Sequence, residues 1–92
     1  KGDDFWLSGC YQRSALWLGL YSYEHENWDK ILKDYEVFAQ QFNGRPHWGK
    51  EFNVGKEYLQ QQYPMYQDFM QLRQEFDPNG KFVNKYIERL FT

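Results

Sequence analysis

The stretch of this chain best equipped for chemistry is Arg45-Pro46-His47-Trp48-Gly49-Lys50. A loop that merely joins two elements favours small polar residues. This one carries two cations, an imidazole and an indole around two backbone punctuators. Lys50 can hold a fixed positive charge where negative charge develops in a reaction, which is a large catalytic term; it can equally be an ordinary surface lysine. His47 can carry a proton or donate a hydrogen bond, or serve as a satisfied structural residue. Trp48 can wall a flat ring or fill the core beneath the loop. Pro46 biases Arg45 toward an extended conformation, and Gly49 permits a sharp path beside Lys50.

No rival constellation competes with it. His25 and His47 have no partner at metal-ligand spacing, so no metal is expected. Ser8, Ser14 and Ser22 sit in no nucleophile elbow, and no glycine loop of the phosphate-binding kind occurs. Cys10 has no activating neighbour and is expected to be a small buried hydrophobe. His25, between Glu24 and Glu26, reads as part of a solvated turn before a helix; Asp29, Asp34 and Glu36 read as the wet face of that helix.

The 92 residues suffice for one domain with a modest core. Aromatic residues make up 22% of the chain, yet mean hydropathy is -0.94. So much aromatic surface on so short a chain implies that some of it meets something outside the chain. The net charge of -2 and the lack of a basic stripe argue against nucleic acid as a partner. The single cysteine fits a reducing compartment, so a cytoplasmic location is expected. No apolar run is long enough to span a membrane, and no signal peptide is seen. The first residue is Lys1, and the chain is expected to be a piece of a longer protein.

Several elements must position the hexapeptide. Phe5-Trp6-Leu7 reads as a short strand broken at Ser8-Gly9. Ala15 to Tyr23 reads as a central strand, with Trp17, Gly19 and Tyr21 on one face and Leu16, Leu18 and Leu20 on the other. Gly19 in mid-strand marks either a close approach of a ligand or a space-saving contact with an aromatic ring. After an N-cap at Asn27, the residues Trp28, Ile31, Leu32, Tyr35, Phe38 and Phe42 form a helical stripe, stopped by Asn43-Gly44 with Gly44 in the left-handed position. Lys56 to Gln62 predicts a short helix ended by Tyr63 before Pro64. Pro64 suits the first turn of the next helix, whose buried face is Met65, Phe69, Leu72 and Phe76. Asp77-Pro78-Asn79-Gly80 has type I turn chemistry. Phe82-Val83 reads as extended, and Asn84 caps a last helix through Ile87, Leu90 and Phe91. The expected fold class is α+β: short antiparallel strands packed against about three to four helices.

The block Gly44 to Lys50, followed by Tyr63-Pro64 and then by Asp77-Pro78-Asn79-Gly80-Lys81-Phe82-Val83-Asn84-Lys85-Tyr86, resembles the C-terminal end of the aldonolactone oxidase and sugar-alcohol oxidase flavoproteins. Both the order and the spacing of the blocks match, from about Trp6 onward. The resemblance implies a vanillyl-alcohol-oxidase-type enzyme, with an N-terminal FAD-binding domain and a C-terminal cap domain over the flavin. Residues 1–92 would be the end of that cap, with the FAD-binding domain outside it and the isolated piece inactive. The same resemblance places Lys50 at the flavin and substrate as the catalytic residue. Arg45, His47, Trp48 and Gly49 complete the flavin-facing loop. Trp17 and Tyr21, with Trp48, could stack on the C–H faces of a sugar while Gly19 leaves room. Tyr11-Gln12-Arg13-Ser14 lacks the Gly and Asp of a Tyr-Gly-Arg-Asp segment found in this group. Leu18-Gly19-Leu20-Tyr21 lacks the His and Thr expected of alditol oxidases. The implied cofactor is FAD, held mainly by the other domain. The implied partners are a sugar-derived substrate and the FAD-binding domain of the same chain, with self-association of the isolated piece through its aromatic surface. A reading from another class is a non-catalytic, aromatic-rich module that binds carbohydrate or a protein.

Overall fold

The computed structural model describes residues 1–23 and 26–92, so the expected solvated turn at Glu24 and His25 lies outside the described residues. Among the described residues the architecture is four helices: α1 (Trp28–Gln40), α2 (Lys56–Gln62), α3 (Tyr66–Phe76) and α4 (Lys85–Phe91). None of them is long and apolar enough to cross a membrane. The helical half of the expected α+β class is therefore present. The strands are not: among the described residues the one β-pairing is an isolated bridge between Asp3 and Tyr11. Phe5-Trp6-Leu7 lies in a turn-rich loop, and residues 14–22 form no regular element. A strand is stabilised by ladder bonds and cross-strand side chains. Residues 15–23 have the alternation but no adjacent strand among the described residues, and Leu16, Leu18 and Tyr21 are exposed.

The core lies where α2, α3 and α4 meet. Phe52, Leu59, Tyr63, Tyr66, Leu90 and Phe91 are buried there, with Trp48, Phe69 and Met70 packed against them. The Tyr66 and Phe91 rings stack with centroids 5.6 Å apart. The last carbonyls of α4 find no partner within the helix and need donors, and neighbouring helices supply them. Tyr66 Oη donates to Leu90 O, Arg73 Nη1 to Phe91 O at 2.8 Å, and Lys56 Nζ to Thr92 O at 2.8 Å. At the other end, the Asn84 side chain accepts from the Ile87 N–H at 2.9 Å, as its cap position requires. The Asp77 carboxylate accepts from the N–H groups of Lys81 and Phe82 at 2.7 and 2.9 Å, which pins the turn leading into α4. Gly80 takes φ +64 there, a conformation that glycine adopts without strain. Phe82 sits in this turn system rather than in extended chain.

Three local expectations shift. Asn27 occupies the N-cap position of α1, but at φ 65 its side chain makes no cap bond. The left-handed residue after α1 is Asn43, at φ 53, not Gly44. The N–H of Gly44 bonds Ala39 O and that of Asn43 bonds Gln40 O, the paired closure of a Schellman motif. Glycine is needed at 44 for closeness, since a Cβ would stand 2.8 Å from Ala39 O. In α3 the helix begins after Pro64, at Tyr66, and its buried side is Tyr66 with Phe69 and Met70; Leu72 and Phe76 face solvent.

Helix α1 is tied to the rest by polar bonds. Trp28 Nε1 donates to Glu51, the Asn53 N–H donates to Glu36, and Tyr35 Oη donates to Leu18 O at 3.0 Å. Glu36 is thus half-buried and bonded, not simply part of a wet face. Only Leu32 of the apolar stripe is buried, and Ile31, Phe38 and Phe42 stay exposed.

Replacing Asn84 with Ala should lower stability by about 1 kcal/mol, the usual value of an N-cap side chain. Chemical denaturation of the full-length protein checks it; Asn84→Ser, which can still accept from Ile87, should recover most of the loss.

Candidate functional site

The hexapeptide is anchored from below by its tryptophan. Trp48 Nε1 donates to Leu7 O at 2.7 Å, and Trp48 O accepts from Tyr86 Oη at 2.8 Å. The indole packs against Tyr63, Phe91 and Phe52 at centroid distances of 5.3, 5.6 and 6.2 Å. Trp48 therefore fills the core beneath the loop. The Lys50 N–H bonds His47 O at 3.0 Å, which closes a turn and leaves His47 and Lys50 exposed above it.

His47 Nδ1 accepts from the Gly49 N–H at 3.0 Å. An accepting Nδ1 puts the proton of the neutral ring on Nε2. Gly49 thus orients the imidazole by its backbone. Trp17 meets His47 edge-on at 5.8 Å and 71°. Lys50 Nζ has no hydrogen-bond or ion-pair partner among the described residues. Arg45 is the opposite case. Its Nε donates to Gln62 O at 2.9 Å, and its Nη1 donates to Ser8 O and Tyr11 O at 3.2 and 3.1 Å. The guanidinium lies 4.8 Å over the Tyr63 ring. Burial, then the neighbouring Arg13 cation, lower the Arg45 pKa from its ordinary value.

These residues border an open groove of about 1090 Å³. Its walls are the apolar side of α1, residues 13–22 and residues 44–54. Trp17, Gly19, Tyr21, Arg45, His47, Gly49 and Lys50 all line it, though residues 17–21 and 45–50 are far apart in sequence; Trp48 does not. At Gly19 a Cβ would stand 2.9 Å from the Tyr21 ring, so this glycine makes room for an aromatic neighbour. Cys10 is half-buried outside this wall.

Gly9 and Glu51 also border the groove, and sequence reasoning did not single them out as site residues. A Cβ on Gly9 would meet the Trp17 ring at 2.5 Å, so the indole rests on this glycine. Glu51 is next to Lys50 in sequence, but its carboxylate serves Trp28. Neither contact has a sequence signature: Glu51 meets Trp28 across 23 positions, and Gly9 meets Trp17 within a segment of no regular structure.

The sequence model of D-arabinono-1,4-lactone oxidase matches residues 1–90. The chain belongs to this family. It is 35% identical to the L-gulonolactone oxidase of Mus musculus over 99% of this chain and 22% of that protein. It is 30% identical to the L-gulono-1,4-lactone dehydrogenase of Mycobacterium tuberculosis (strain CDC 1551 / Oshkosh), over 96% of this chain and 21% of the relative. The alditol oxidase of a Streptomyces species is 33% identical, over 96% of this chain and 21% of its own length. The chain thus spans about a fifth of the length of the curated relatives it matches.

One group in this region titrates in a telling way. Tyr63 is fully buried and its hydroxyl has no partner among the described residues. Burial raises its pKa from 10.0 to about 12, against the lowering effect of Arg45. The unfolded chain ionises this hydroxyl first. Its contribution to stability is therefore whole below pH 10 and drains away as pH rises toward 12. Tyr63→Phe should remove that part of the alkaline loss and leave stability at pH 7 equal or higher, because no hydrogen bond is given up. Denaturation midpoints of both proteins across this window provide the check.

Proposed function

We propose that this chain is the C-terminal part of the cap region of an FAD-linked oxidase, and that its groove is one wall of the site where a sugar lactone or sugar alcohol is oxidised. The observation that carries the reading is Lys50: an ammonium with no partner among the described residues, on the rim of an aromatic-lined groove, in a member of the D-arabinono-1,4-lactone oxidase family. The relatives' names supply the substrate class, and a lactone is favoured because Leu18 to Tyr21 carry neither the His nor the Thr expected of alditol oxidases.

The donor set suits a flat ring with a polar, charge-accepting edge. Lys50 supplies a cation, His47 offers Nε2–H, and Trp17 and Tyr21 supply apolar faces. FAD, held mainly by the rest of the protein, supplies the hydride acceptor. On this reading Lys50 stabilises negative charge that develops at the ring edge, by a charge already in place before reaction. His47, itself oriented by the Gly49 N–H, orients a polar group of the substrate or ring. Trp17 and Tyr21 stack on C–H faces and exclude water, while Gly19 keeps Tyr21 in place. Trp48 holds the loop at the right height from within the core. The isolated chain is expected to be inactive, and to self-associate through the aromatic surface that the rest of the protein would cover.

The same reading accounts for the missing strands. Residues 15–23 keep a strand's alternation, and the apolar side of α1 stands uncovered near them. A neighbouring strand from the rest of the protein would complete an antiparallel ladder and cover this face.

In the full-length protein, Lys50→Ala should lower kcat by about 10²–10³-fold with an unchanged thermal midpoint, the scale of one lost pre-set electrostatic contact. Turnover equal to wild type would remove Lys50 from the chemistry. Amide hydrogen exchange tests the ladder: residues 15–23 should exchange slowly in the full-length protein and quickly in the isolated chain. Fast exchange in both would dismiss the strand.

A further inference from the structure

Arg45 lines the groove, yet its donors are turned to the chain itself. One side of the guanidinium holds the end of α2 through Gln62 O at 2.9 Å. Nη1 grips the N-terminal loop through Ser8 O at 3.2 Å and Tyr11 O at 3.1 Å, with Gly9 O at 3.5 Å. The gripped segment contains Gly9, which is the seat of the Trp17 indole: a Cβ at this position would stand 2.5 Å from one ring carbon and 2.7 Å from another. Trp17 in turn meets His47 edge-on at 5.8 Å. A continuous set of contacts therefore runs from Arg45 through Gly9 to Trp17 and His47.

We infer that Arg45 is a positioning residue: it fixes the loop on which Trp17 rests, and so sets the Trp17–His47 corner of the groove, without touching substrate or cofactor. The inference rests on the proposed substrate-binding role of the groove. Arginine is required because its planar fork serves carbonyls on two separate segments at once, which the point charge of lysine does not. Stacking on Tyr63 keeps that fork in one plane. The corner it sets is a wall, so its effect belongs to binding, whereas Lys50 belongs to the chemical step.

The test is a double-mutant cycle in the full-length protein with an aldono-1,4-lactone as substrate. Gly9→Ala, which forces the indole off its seat, should raise KM about tenfold with a smaller change in kcat, the scale of one lost aromatic contact. Arg45→Lys should do the same. In a Trp17→Phe background both substitutions should have less than half of that logarithmic effect, because the indole they act through is gone. Additive effects in the cycle, or a fall in kcat with KM unchanged in Arg45→Lys, would overturn the inference. If Arg45→Lys does not fold, the Gly9→Ala and Trp17→Phe arm decides alone. A flat Lys50→Ala result with a coupled KM cycle would defeat the catalytic reading and leave this one standing. If the wild type turns over no lactone, calorimetric Kd replaces KM in the same cycle; a wild type that also binds none overturns both.

Discussion

The packing of one half-buried indole organises this chain. Trp48 sits among Tyr63, Phe91 and Phe52 and bonds the N-terminal loop through Leu7 O. Tyr86 of α4 closes on its carbonyl. Four parts of the molecule thus meet at a single residue in the middle of the hexapeptide. The consequence is local: with Trp48 held inward, the tight turn around it presents His47 and Lys50 outward.

A second constraint follows from the lack of a sheet among the described residues. Backbone carbonyls that no ladder satisfies need other donors, and cationic and phenolic side chains supply many of them. Arg45, Arg73, Arg89, Arg13 and Lys56 donate to carbonyls, as do Tyr58, Tyr66 and Tyr86. The one ion pair among the described residues, Lys30 with Asp34, lies exposed on α1. Much of the cationic charge of this chain holds backbone. Lys50 makes no such bond among the described residues and instead borders the groove. Arg45 and Lys50 stand five positions apart and do different things for this reason.

The helices were legible because their signals are local. The stripe from Trp28, the stop at Asn43-Gly44, the break at Tyr63-Pro64 and the cap at Asn84 each depend on residues a few positions apart. Even there, the choice of Asn43 over Gly44 for the left-handed site depended on how closely the chain passes Ala39. The buried side of α3 differs from the sequence pattern because Leu72 and Phe76 match the helical period but stay exposed among the described residues. The alternation of residues 15–23 is a true strand pattern, but a strand exists only in a pair.

The sequence by itself determined which residues could do chemistry and which family they belong to, since motif order and helix periodicity are properties of the chain alone. It also left Trp48 open between two roles and treated Arg45 as one of a flavin-facing set. Only the tertiary structure decided these: Trp48 packs against the core, Arg45 is a tie between distant carbonyls, and Trp17 from one segment reaches His47 from another. The physical reason is distance along the chain. Packing and carbonyl satisfaction join residues 30 to 41 positions apart, and no local pattern records which of them will meet.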